Sequence, residues 1–168
     1  MWMVEHCSLG ETESHEREGF AVNPASVKGT TTLQTLFTSV VDQNGLSAIH
    51  LLTWSGPEDP RLRVELVTES GTYWAEYDYF TLYDPGRNYS LGAGGYSGTA
   101  GDAFSGIYPD PFQTYDRNKH SCVTYTNGPW WYKSDCASNA NLFSPDKLYM
   151  TWADIGRVTF SEMKIKPN

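Results

Sequence analysis

Positive charge is scarce in this chain: twelve Lys and Arg stand against twenty Asp and Glu, for a net charge of −8 at neutral pH. No basic stripe is visible, which argues against a nucleic-acid partner, because neutralising phosphates takes clustered Lys and Arg. Long apolar runs are also missing, and none approaches the roughly eighteen residues of a membrane span. The opening "MWMVEHCSLGETESHEREGF" lacks a continuous apolar segment, so no signal peptide is legible there. Cysteine is limited to three residues. Cys122 and Cys136 bracket a loop holding "GPWWY" and suit a small disulfide ring in an oxidising compartment, with Cys7 left over; three reduced thiols are the alternative. The acceptor triplet Asn88-Tyr89-Ser90 leans toward the oxidising reading.

What the chain does have is aromatic and glycine-rich. Its 168 residues suit one domain with a real core, and eleven Tyr with six Trp point to ordered loops and a surface fitted for recognition. The stretch "GGYSGTAGDAF", Gly94 to Phe104, invites comparison with two glycine motifs. A phosphate-cradling loop needs a lysine after its last glycine, whereas Gly101 is followed by Asp102, whose charge repels phosphate. A nucleophile elbow needs glycine two places on either side of its serine, and Ser97 has Gly95 before it but Thr99 after it. Small residues packing a turn-rich path are the remaining reading.

Periodicity divides the rest. Residues 1 to about 32 are polar and aperiodic and read as a leader that is disordered or poorly docked. Leu33, Leu36, Phe37, Val40 and Val41 fall at helical spacing, and the pattern predicts a break at Asn44-Gly45 before a further turn or two over 46–52. In "RLRVELVTESGTYWAEYDYFTLY", Leu62, Val64 and Leu66 alternate with charged residues, predicting a strand, a turn at "ESGT" and a return strand. On that return strand, strict alternation puts Trp74, Glu76, Asp78 and Phe80 on one face and Tyr73, Ala75, Tyr77 and Tyr79 on the other. "NYSLGAGGY" reads as a third short strand, residues 94–144 as ordered loop, and "KLYMTWADI" and "RVTFSEMKIKP" as terminal strands.

Four segments, "YSLGAGGYSGTAGDAF", "FQTYDRNKHSC", "CVTYTNGPWWYKSDC" and "TWADIGRVTFSEMKIKP", resemble in order and spacing the C-terminal globular domain of fibrinogen and its ficolin-like and tachylectin-like relatives. The resemblance implies an α+β fold with a small antiparallel sheet, short helices and a large loop-rich subdomain. It divides the chain into a divergent leader at 1–43, largely disordered or weakly helical, and a partial domain of this family at 44–168. The cysteine segment and the G-G-W-T strand that usually open such domains are not found in residues 1–43. By the same resemblance Asp102 is an interior or turn-capping carboxylate, and Trp130, Trp131, Tyr132 and Phe143 are core or ring packing, with pocket lining as the alternative.

The resemblance also implies two sites. Calcium in the family is held in the loop before the ring cysteine, here "YDRNKHSC", where Asp116 and Asn118 remain while Lys119 and His120 replace oxygen donors, a degraded site. Acetylated sugars or peptide ends bind a pocket beside the ring disulfide, which places Tyr125, Thr126, Asp135, Cys136, Ala137 and Asp146 at its wall, with a cis bond between Asp135 and Cys136. The function implied is a secreted, non-enzymatic, lectin-like recognition module of innate immunity or adhesion, with glycans or extracellular proteins as partners. A degenerate structural domain working through protein contacts is the alternative. Relatives oligomerise through a coiled coil or collagen stalk, and this chain shows neither heptads nor glycine repeats of that kind.

Overall fold

The computed structural model describes residues 31–32, 43–54, 59–117, 119–124, 127–144 and 150–166. Its centre is one antiparallel sheet built from β1 (Thr31–Thr32), β2 (Arg61–Thr68), β3 (Gly71–Leu82), β4 (Leu91–Gly98) and β9 (Val158–Lys166), in the order β1-β9-β2-β3-β4. A helix, α1 (Gln43–Trp54), precedes β2 and packs against β3. Between β4 and β9 lie two small ladders, β5 (Phe112–Gln113) with β6 (Trp130–Trp131) and β7 (Ala140–Asn141) with β8 (Thr151–Trp152). The α+β expectation holds. Of the leader the described residues are Thr31–Thr32, which pair with Ile165 and Lys164, and Gln43, which opens α1; its other residues, Cys7 among them, lie outside them.

The β2–β3 hairpin follows its sequence period. Leu62, Val64 and Leu66 are fully buried opposite Tyr77, Ala75 and Tyr73. The outward face carries opposite charges within and across strands: Arg63 meets Glu65 of its own strand at 3.0 Å and Glu76 of β3 at 3.1 Å, and Lys164 of β9 meets Glu65 of β2 and Glu162 of its own strand at 2.8 Å each. Such pairs contribute roughly 0–1 kcal/mol apiece, so they favour this register more than they supply stability.

Two local expectations fail. Helix α1 runs through Asn44-Gly45 without a break, the glycine falling in its first turn. Glycine costs a helix about 1 kcal/mol, and burying Leu46 and Ile49, three apart on one face, outweighs it. The helix is also tied to the sheet, since His50 Nδ1 lies 2.7 Å from the Leu82 carbonyl and the Leu82 amide donates to Thr53 Oγ1. The apolar residues 33–41 that were read as helical lie outside the described residues. On β3, Asp78 and Tyr79 are both exposed while Phe80 is fully buried, so Phe80 does not share the fate of Asp78. The ladder skips the position where Asp78 faces Gly95, which sits at φ 67, and the burial pattern changes phase there.

The glycine stretch is strand before it is loop. β4 continues to Gly98, and a side chain at that position would stand 2.3 Å from the Trp74 carbonyl oxygen, so only glycine lets the edge strand close onto β3. The chain then enters the loop subdomain, where Asp102, itself exposed, caps the turn: its Oδ1 accepts from the Tyr77 hydroxyl at 3.0 Å and the Phe104 amide at 3.2 Å. Phe104 joins the halves. Its ring packs against Tyr77 of the sheet and against Trp130, Trp131 and Trp152 of the ladders, with centroids 5.1 to 6.3 Å apart. Burial pushes the Tyr77 phenol above its ordinary value of 10.0, and the nearby Asp102 carboxylate adds to the shift. Of the segment "KLYMTWADI", the described strand is Thr151–Trp152 alone.

Candidate functional site

Cys122 and Cys136 are joined by a disulfide with their Cα atoms 5.1 Å apart, which removes the reduced-thiol alternative for this pair. The ring they close stands on the β5–β6 ladder. Trp130, Trp131 and Tyr132 are buried beneath it and Phe143 is half-buried, the packing roles expected of them. Gln113, also buried, donates from Nε2 to the Tyr132 carbonyl at 3.0 Å. The Tyr132 hydroxyl lies 3.0 Å from the Asn127 carbonyl and 3.1 Å from that of Gly128. Burial raises this phenol above its ordinary 10.0 as well, so it stays a neutral donor across the working pH range.

Asp135, Cys136 and Ala137 come together on the exposed turn that finishes the ring. The Cys136 amide donates to the Lys133 carbonyl, the Lys133 amide to that of Ala137, and the Ala137 amide to Asp135 Oδ1 at 2.9 Å. The expected cis bond is not there. Among the described residues the cis peptide is Tyr108-Pro109, and the ring turn reverses instead by placing Cys136 at φ 64. The other pocket residues, Tyr125, Thr126 and Asp146, lie outside the described residues. The cavity beside Ala137, walled by Trp131, Lys133 and Ser138, measures about 10 Å³, which is room for one water.

Asp110, unmarked in the sequence, is brought close to this turn by the fold. Its carboxyl is held above the ordinary 3.8, first by burial and then by repulsion from Asp135, while Lys133 and His120 act in the opposite sense. Nothing in the turn-like letters around it marks the residue, because Lys133 and Asp135 are more than twenty positions away.

In the loop before the ring, Asp116 accepts the Thr114 hydroxyl, and Arg117 and Lys119 follow it on the surface. Asn118 lies outside the described residues. Among the described residues no three His, Cys, Asp or Glu side chains gather as metal ligands. Calcium takes six to eight oxygens, and the described residues of this loop do not fit it. They border instead a cleft of about 430 Å³ that also takes in Asn88, Pro111, Phe112 and Gln113. Asn88, the acceptor asparagine of the triplet, is exposed there at φ 50.

Comparison with known proteins agrees with this architecture. The family model for the C-terminal globular domain of fibrinogen beta and gamma chains matches residues 43–168. Fibrinogen-like protein A of Apostichopus parvimensis is 36% identical over 137 residues, covering 73% of this chain and 48% of that protein. Tenascin-R of Homo sapiens is 37% identical over 101 residues, covering 58% of this chain and 7% of that protein. The chain thus spans about half the length of the first relative and a small part of the second. Among solved structures, the fibrinogen-like globe domain of human ANGPTL2 superposes with a TM-score of 0.63 at 31% identity, covering 74% of this chain and 64% of that one. The sheet, the ring and the family match agree, and the chain belongs to the fibrinogen C-terminal domain family.

Proposed function

We propose that the domain is a secreted, non-enzymatic recognition module that binds acetylated glycans or protein ends at the turn closing the Cys122–Cys136 ring. The observation that supports this reading is the ring itself. Disulfide, Tyr132 anchor and buried tryptophans hold Asp135, Cys136 and Ala137 exposed on one fixed turn, and a fixed turn spends little ordering entropy on a ligand. A persistent disulfide fits an oxidising compartment, and relatives named as tenascins and fibrinogen-like proteins support an extracellular placement. A lamprey fibrin D-dimer, similar in fold at 23% identity, is described with the peptide Gly-His-Arg-Pro-amide, a precedent for protein ends. Calcium binding at Asp116 and Asn118 is weak in this reading, because Arg117 and Lys119 flank the one described carboxylate.

The second reading is a structural domain acting through protein contacts, favoured by the small cavity beside Ala137. Calorimetric titration of the oxidised domain with N-acetylglucosamine, with and without calcium, separates the two. Saturable heat supports the recognition site. Silence from a protein shown to be folded and disulfide-bonded transfers the assignment to the structural reading.

A further inference from the structure

The cleft bordered by Arg117 and Lys119 is the more spacious of the concavities described above, and its charge is opposite to that of the molecule. Its volume of about 430 Å³ lies within the range of small-ligand sites. Two cationic side chains line it together with one carboxylate, so the lining carries a net +1 on a chain of net charge −8. That carboxylate, Asp116, already accepts the Thr114 hydroxyl. A divalent cation is repelled by such a lining, and an anion is drawn to it.

We propose that this cleft binds a sugar acid, taking the carboxylate of a uronic acid at the end of a glycan between Arg117 and Lys119. The guanidinium suits a carboxylate because its fork of N–H donors matches two oxygens, and the ammonium adds a point charge. The rest of the lining suits a body rich in hydroxyls. Asn88 offers an exposed amide with donor and acceptor, and the Gln113 oxygen accepts the His120 amide at 3.5 Å. The walls are fixed to each other, since the Phe112 amide donates to the Asn88 carbonyl at 3.0 Å and β5 is paired to β6. A peptide C-terminus carries the same carboxylate. The cleft is assigned to the sugar because the amides of Asn88 and Gln113 line it beside the two cations, with Pro111 and Phe112 as its apolar wall. The lining residues of this site are distinct from those of the ring turn.

The test titrates the oxidised domain, made in bacteria so that Asn88 carries no glycan, with methyl glucuronide, methyl glucoside and an acetylated dipeptide with a free carboxylate. Binding is read by calorimetry and by amide chemical shifts. The glucuronide saturates, the glucoside binds at least about tenfold more weakly, and raising salt from about 50 to about 500 mM weakens the glucuronide and not the glucoside. The variant Arg117→Gln/Lys119→Gln loses about tenfold in glucuronide affinity and keeps its titration with N-acetylglucosamine, which separates this cleft from the ring. Both side chains are exposed, and near-ultraviolet circular dichroism confirms the fold; Lys119→Gln alone gives a smaller loss in the same direction. Equal binding of glucoside and glucuronide, unchanged affinity in the double variant, or a requirement for calcium overturns the proposal. Tighter binding of the dipeptide than of the glucuronide overturns the glycan assignment in favour of a protein end.

Discussion

Replacing both ring cysteines, Cys122→Ala with Cys136→Ala, tests how much of the site's order comes from its covalent closure. The two residues are 14 apart, so the disulfide closes a ring of 15 residues counted inclusively. In the chain-entropy account, a loop of that size restricts the unfolded chain by about 3 kcal/mol. Against the roughly 5–15 kcal/mol that separates a folded domain from its unfolded chain, such a loss is large. For a chain of this length it corresponds to a fall in Tm of about 6–12 °C. Alanine is the right replacement at position 122, because that cysteine is buried and serine would put a hydroxyl there needing a partner. The assay is thermal and urea unfolding followed by circular dichroism, with the wild type measured in parallel under reductant as the control. Both samples should lose about the same stability, and exchange of the amides of Lys133, Cys136 and Ala137 should speed up, since their hydrogen bonds hold the turn. A loss below about 1 kcal/mol would refute the reasoning. It would mean that the Gln113 and Tyr132 hydrogen bonds and the buried tryptophans fix the turn without the disulfide.

Three further outcomes follow from the same geometry. Phe104→Ala removes a ring buried against four aromatic neighbours and should cost about 3–5 kcal/mol in urea unfolding, with loss of near-ultraviolet circular dichroism; a cost near 1 kcal/mol would show that the sheet and ladders do not meet through it. Gly98→Ala should destabilise by about 2 kcal/mol or more, because the new methyl meets a backbone oxygen at a φ of 145, and an unchanged denaturation midpoint would disprove the close approach. The hydrogen bond from Lys164, assisted by Arg63, holds the Glu65 carboxyl below its ordinary 4.5. Its stabilisation is therefore complete above that ordinary value and is lost as pH falls through the lower folded value. The stability difference between wild type and Glu65→Gln should shrink across that acid limb, and a difference independent of pH would count against the pair.

The sequence was most informative where one face of an element is wet. Leu62, Val64 and Leu66 alternate with charges because β2 has a buried side and a solvent side, and that contrast is written in the letters. It was least informative where both faces are covered or where a neighbour is remote. Phe80 departs from the alternation because the far end of β3 is buried under α1 as well as on the sheet, and α1 persists through Gly45 because Leu46 and Ile49 have somewhere to pack. Neither fact is local.

By itself, then, the sequence determined the family, the hairpin and the ring cysteines, since each depends on residue type, order and spacing. Only the tertiary structure decided what the sites are made of. It showed the ring turn reversing at Cys136 through a positive φ, gathered Asp110 beside Asp135 and Lys133, and set Asn88 across a cleft from Arg117 and Lys119. The physical reason is common to all three: a loop-built subdomain has no repeating period to announce which residues will meet. Their meeting is fixed by Phe104, the tryptophans and the disulfide, which fold the chain back across 14 residues or more.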